Sequence, residues 1–421
     1  CPEIASEVFD ALAWLEEYTA VPYPFAKYDL IILPGFQFGG MEHTGATFYT
    51  DRRMFLNENP TLNEQLSRSA LIAHETAHMW FGDYVTMKWF DDVWTKEVFA
   101  NYFASQIVEP LYPNVNHALN FMQNYIPPAY SEDRTAGANP IKQNLDNLRN
   151  AGLVYGNIIY DKSPVVLEML IKKMGKDAFR QGIREYLKTY AYGNATWEGL
   201  ITVLDKYTDD DLETWSHIWV NEKGMPEITA SLVGDSLVVS QNDPFDRGLN
   251  WPQDLSFRIV PKNGDPEEIS VSLGRNSNSF RKKLKRLPQE GSFIVPNIDG
   301  KGYGFFRLSE ADAEACAAYL PVCKEELLRG SILVTLYENL LNRTISPASY
   351  MEAMLKYLPE ENNSLLFSAT LGYIGNCQRL YQTDVAPLEK TLWQIVTTSS
   401  VPQHRLQAHA RVPRHPLPCE G

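Results

Sequence analysis

Apolar and polar positions follow a helical period in CPEIASEVFDALAWLEEY, which predicts an amphipathic helix at the start of the chain. YDLIILPG reads as a strand, and GGMEHTGATFYT as a glycine turn leading into another. Two strong helical patterns lie between Leu66 and Glu109, separated by a turn and strand from Gly82 to Trp89, with Pro110 expected to end the second. NATWEGLITVLDKY predicts a further helix with Thr196 as N-cap. Beyond Pro226 the period becomes two: EITASLVGDSLVVSQ, LSFRIVP, EISVSLG and SFIVPNIDGKGYGFFRL alternate between turn residues, predicting a small β-sandwich. From Ser309 the helical period returns. The last stretch, QHRLQAHARVPRHPLPCEG, is crowded with His, Arg and Pro and is expected to be a disordered or foreign tail.

The resulting fold class is α+β, with a boundary expected near 225, a β region over 226–310, a helical region over 311–402 and the tail over 403–421. A chain of 421 residues is long enough for several cores. A net charge of −14, with no Lys/Arg run, argues against a nucleic-acid surface. No apolar run reaches the length of a membrane span. The five cysteines are odd in number and form no CxxC pair, so free thiols are expected rather than a disulfide framework or a cysteine zinc site. Compartment and oligomeric state are not legible.

The chemistry concentrates in HETAH, residues 74–78. His74 and His78 stand four apart on a predicted helix, so both imidazoles project from one face and can reach a single tetrahedral zinc ion. Glu75 beside them can face the open position of such an ion. A chance HExxH in this composition has a probability of about 1%. Taken alone, the pattern also fits two histidines on an amphipathic helix beside a solvated glutamate. A catalytic zinc needs a third protein ligand. Glu97, in WTKEVFANYFA on the next helix, can fold back against the pair. Trp94, Phe99 and Tyr102 around it suggest an inward-packed element.

With eighteen residues between His78 and Glu97, HETAHMWFGDYVTMKWFDDVWTKEVFANYFA resembles the M1 zinc aminopeptidases, whose signature is HExxH, eighteen residues, then Glu. GGMEH lies where that family has GxMEN, YDKSPVVLEML resembles its Tyr-x-Lys-Gly block, and GKGYGFFRL resembles the closing strand of its β-sandwich. The resemblance implies a thermolysin-like catalytic domain over 1–225. It assigns zinc to His74, His78 and Glu97, general base duty to Glu75 and oxyanion stabilisation to Tyr160. Glu42 would pair with the free α-ammonium of a peptide substrate, with Gly39 and Gly40 letting backbone approach closely. Met41 and Tyr155 match positions that line the first side-chain pocket, and equally fit core positions.

Three departures stand out: His43 in place of Asn, Lys96 in place of the Asn before the third ligand, and Ser163 in place of Gly. His43 is expected in the groove or beside a metal ligand rather than as a fourth ligand, which would displace the water. Asp92 and Asn101 are candidates for orienting the imidazoles. The family also implies a preceding β-rich domain and a longer helical C-terminal domain, so the chain is expected to be a fragment, with the missing N-terminal domain as a partner of the cleft. The implied activity is removal of N-terminal residues from peptides. Endopeptidase or bifunctional hydrolase activity on the same fold, or a non-catalytic scaffold, are the alternatives.

Overall fold

The computed structural model describes residues 2–412 except 275. Helix α1 (Pro2–Thr19) buries Ile4, Val8, Ala11, Leu15 and Thr19, one stripe at three-to-four spacing, against helix α2 (Leu62–Ala77). Arg68 of α2 meets Glu7 of α1 at 2.7 Å across that seam. Thr61 caps α2: its hydroxyl accepts from the Glu64 N–H, and the Glu64 carboxylate accepts from the Thr61 N–H at 2.7 Å. That reciprocal pair satisfies two of the otherwise unpaired donors at a helix start. Because α2 begins there, a little over three turns of helix carry the chain to His74, with His78 as the C-terminal capping residue.

Helix α3 (Val93–Leu111) packs along α2 and is buried nearly all round, through Trp94, Val98, Phe99, Phe103 and Ile107 among others. Pro110 does not stop it but sits in its last turn, with Leu111 still helical. Between the two helices, strand Val85–Met87 pairs in parallel with Gly193–Ala195. Helix α4 (His117–Asp133) and helix α5 (Ser163–Met174) complete the surround, α5 being entered through a π-helical turn at Ile158–Lys162.

A three-stranded sheet roofs one side of α2. Strand β1 (Asp29–Leu33) runs parallel to β3 (Ala46–Thr50), and the two-residue edge strand β2 (Gly40–Met41) runs antiparallel to β3, with Met41 opposite Phe48. Glu42 leaves the end of that edge strand.

Strands between Glu227 and Arg307 form a four-stranded and a three-stranded sheet. Their inward residues, including Ile228, Leu237, Val239, Phe257, Val271 and Ile294, make an apolar cluster separate from the main core. Gly234, at φ 62°, occupies the left-handed region in the two-residue turn between Glu227–Val233 and Ser236–Asn242. The polar seam to the helices is a buried triad: Lys162 Nζ lies 2.8 Å from Asp133 Oδ2 and donates to the Gly224 carbonyl at 2.7 Å, while the Tyr303 hydroxyl donates to Asp133 at 2.9 Å.

Among the described residues six α-helices follow from Glu310, the sixth being Pro402–Arg411. The tail expectation is corrected for its described part, since 402–411 are helical. His404 is buried there, its ring stacked on Phe367 at 3.8 Å, an aromatic contact that gives this polar sequence an anchor. Residues 413–421 lie outside the described residues. Cys316, Cys323 and Cys377 are buried free thiols; Cys1 and Cys419 also lie outside the description. Among the described residues no helix is long and apolar enough to cross a membrane.

Candidate metal centre

The ten residues given metal, catalytic or substrate-binding roles from sequence line one cleft of about 1360 Å³: Gly39, Gly40, Met41, Glu42, His74, Glu75, His78, Glu97, Tyr155 and Tyr160. Helices α2 and α3 form its floor, the edge strand β2 one rim and the π-helical turn the other.

At the floor, His74 Nε2 and His78 Nε2 face each other at 3.1 Å, and Glu97 Oε2 lies 3.5 Å from the first and 3.6 Å from the second. Bonds of the usual zinc–nitrogen and zinc–oxygen length at a tetrahedral angle put donor atoms about 3.3–3.4 Å apart. The three atoms therefore span one face of such a tetrahedron. The ring hydrogen bonds agree. His78 Nδ1 is 3.1 Å from the Phe81 carbonyl, which can only accept, so that nitrogen carries the proton and the neutral ring's Nε2 presents a lone pair. Two lone pairs and a carboxylate converging in a buried site call for a cation, and the donor set fits one.

Glu75 projects from the same turn. Burial pushes its carboxyl up to about 8, and the charges of Glu42 and Glu97 add to the rise. A carboxyl poised near neutrality can both take and return a proton. Gly40 runs directly against it, and a β-carbon at Gly40 would overlap the Glu75 carboxylate. The glycine expected to admit substrate backbone thus also makes room for Glu75.

Glu42 is not an unpartnered carboxylate. Lys96 Nζ meets Glu42 Oε1 at 2.5 Å and Glu97 Oε1 at 2.9 Å, bridging the cleft rim to the floor. Burial works against the Glu42 charge, and the ammonium of Lys96, which also hydrogen-bonds the carboxylate, opposes that effect and lowers its pKa. Lys96 had been visible only as a departure from the family pattern; its pairing 54 residues away carries no local signal.

Tyr160 stacks against Tyr155, ring centroids 6.0 Å apart. Burial first, then the Glu97 charge, pushes its phenol above the ordinary range, so it remains a proton donor at neutral pH. Asn101 Oδ1 lies 2.8 Å from His74 Nδ1, in line with its expected place beside the imidazoles. Asp92 does not join it: this carboxylate pairs with Lys142 at 3.1 Å. His43 is exposed, set edge-on against Phe48 at 4.9 Å, and does not line the cleft. The chain direction out of β2 turns it toward β3 instead.

The sequence model of the peptidase family M1 domain matches residues 5–219. Aminopeptidase N of Streptomyces lividans is 33% identical over 378 residues, which cover 86% of this chain and 44% of that protein. Aminopeptidase N of Lactococcus lactis is 33% identical over 270 residues, 62% of this chain and 32% of that one. The puromycin-sensitive aminopeptidase of Caenorhabditis elegans is 28% identical over 321 residues, 73% and 33% of the two chains. The chain thus spans between 32% and 44% of the length of these curated relatives.

Proposed function

The chain belongs to peptidase family M1, and from that premise we propose that it hydrolyses the N-terminal residue from peptides with one zinc ion held by His74, His78 and Glu97. The observation that carries this reading is the triangle of donor atoms at 3.1, 3.5 and 3.6 Å beside a carboxylate poised near neutrality. When bound, the ion supplies Lewis-acid polarisation of the scissile carbonyl and acidifies the attacking water. Glu75 takes the proton from that water and returns it to the leaving amine. The Tyr160 hydroxyl donates to the oxygen on which negative charge develops. Glu42 receives the substrate α-ammonium, entering beside Lys96 or in its place, and Gly39, Met41 and Tyr155 shape the first side-chain pocket. The divisions 1–225, 226–310 and 311–402, with a thermolysin-like first domain and a β-sandwich second, are part of the same reading.

A panel of aminoacyl chromogenic substrates tests it, together with metal analysis and N-acetylated controls. The expected result is one zinc per chain, activity lost to chelator, retained zinc but lost turnover in Glu75→Gln, and no cleavage of blocked peptides. Equal cleavage of acetylated peptides would remove the exopeptidase claim, and a folded protein that takes up no metal would favour a scaffold.

A further inference from the structure

We propose that Asn101 is a positioning residue that couples the metal ligand His74 to Tyr160 on the opposite rim of the cleft, an inference that rests on the roles given above to those two residues. Asn101 sits on α3 one turn beyond Glu97, so its side chain shares the face that meets α2. Its amide makes two hydrogen bonds at once. Nδ2 donates to the Tyr160 carbonyl at 2.9 Å, and Oδ1 faces His74 Nδ1 at 2.8 Å.

The orientation follows from the chemistry of the partners. A backbone carbonyl only accepts, so the amide nitrogen must face Tyr160. The amide oxygen is then turned to His74, and only a protonated Nδ1 can satisfy it. In the neutral ring that leaves the Nε2 lone pair pointing at His78 and Glu97, the form that binds a metal. One side chain thereby selects the ligand tautomer of His74 and holds the backbone that carries Tyr160.

That backbone needs an outside donor. In a regular helix the Tyr160 carbonyl would accept from the residue four ahead, but this is Pro164, which has no N–H. The turn Ile158–Lys162 is π-helical instead, with the Ser163 N–H bonded to the Ile158 carbonyl. The Asn101 amide satisfies the Tyr160 carbonyl from the metal side of the cleft. Movement of either partner is thus transmitted to the other through a planar amide with no slack.

Two variants separate the two bonds. Asn101→Asp keeps an acceptor for His74 but presents an oxygen to the Tyr160 carbonyl; Asn101→Ala loses both contacts. Zinc affinity of the metal-free protein is read by competition with a chromophoric chelator, and kcat and KM are read at saturating zinc, with thermal unfolding to confirm folding. Asn101→Asp should match or exceed wild-type zinc affinity while kcat falls by roughly 10–100-fold at little-changed KM, and Asn101→Ala should lose affinity by a similar factor. The kcat losses of Asn101→Asp and Tyr160→Phe should be less than additive when combined. Wild-type kcat in a folded Asn101→Asp, or wild-type zinc affinity in Asn101→Ala, overturns the proposal. A wild-type protein without peptidase activity would instead defeat the functional reading, and the zinc-affinity arm would still decide whether Asn101 governs His74.

Discussion

Gly40 lies so close against Glu75 that no side chain fits between them. The contact joins the edge strand to the HETAH helix, and the group that must yield to any added atom is the end of a flexible side chain. Gly40→Ala should therefore leave folding nearly intact and displace the carboxylate. With the proposed general base misplaced by about 1 Å, kcat should drop on the order of 100-fold. Circular dichroism with steady-state kinetics checks this; a folded alanine variant with undiminished kcat would contradict it.

Lys96 holds the carboxylate proposed to receive the substrate amine. Replacing it with the similarly long but uncharged Met removes a competing cation from Glu42 and leaves a more negative pocket. KM for free-amine substrates should fall by roughly 3–10-fold, the size expected of one charge-assisted contact. A rise in KM would mean that Lys96 positions Glu42 rather than competing for it.

Asp161, next to Tyr160, carries a stability signature. Burial, with the nearby Glu132 charge, raises its pKa from 3.8 to about 7. The folded state thus binds its proton more tightly than the unfolded chain does. This contribution is fully present below pH ~3.8 and is lost as pH rises through ~7, amounting to at most about 4 kcal/mol. Asp161→Asn should flatten the decline in urea midpoint between pH 5 and 8. Parallel declines in both proteins would rule the effect out.

Lys162 has no exposed surface and neutralises Asp133 inside the seam between helices and sheets. Lys162→Met strands a buried carboxylate and should destabilise the fold by about 3–5 kcal/mol. Combining it with Asp133→Leu should recover much of that loss, because no unpaired charge remains. Chemical denaturation of the single and double variants measures both.

Much of the site was legible because its geometry is local. A spacing of four residues on a helix places His74 and His78 on one face, although the helix starts at Leu62, behind the cap formed by Thr61 and Glu64, and not at Leu66 as the apolar pattern predicted. The change of period near Pro226 marked the strands from Glu227. Other features escaped for a physical reason. The Phe81 carbonyl that orients His78 is backbone, and any residue would supply it. Asp92 looked as eligible as Asn101, but the first, at the N-cap of α3, turns to Lys142, and the second, inside the helix, turns to His74. The first part of the His/Pro-rich stretch, 402–411, looked unstructured in sequence, but Phe367, 37 positions before His404, offers it a ring to stack on.

Residue types at helical and strand periods are enough to put His74 and His78 on one helix face and to order the helical and strand regions, since these depend on spacing along a short piece of chain. Only packing brings Lys96 to Glu42, Gly40 to Glu75 and Asn101 to the Tyr160 carbonyl. Those contacts join segments tens of residues apart, and their strength depends on burial and on which atom of each group faces the other. Both are properties of the assembled interior, where dielectric and hydrogen-bond geometry are set by neighbours rather than by the residue itself.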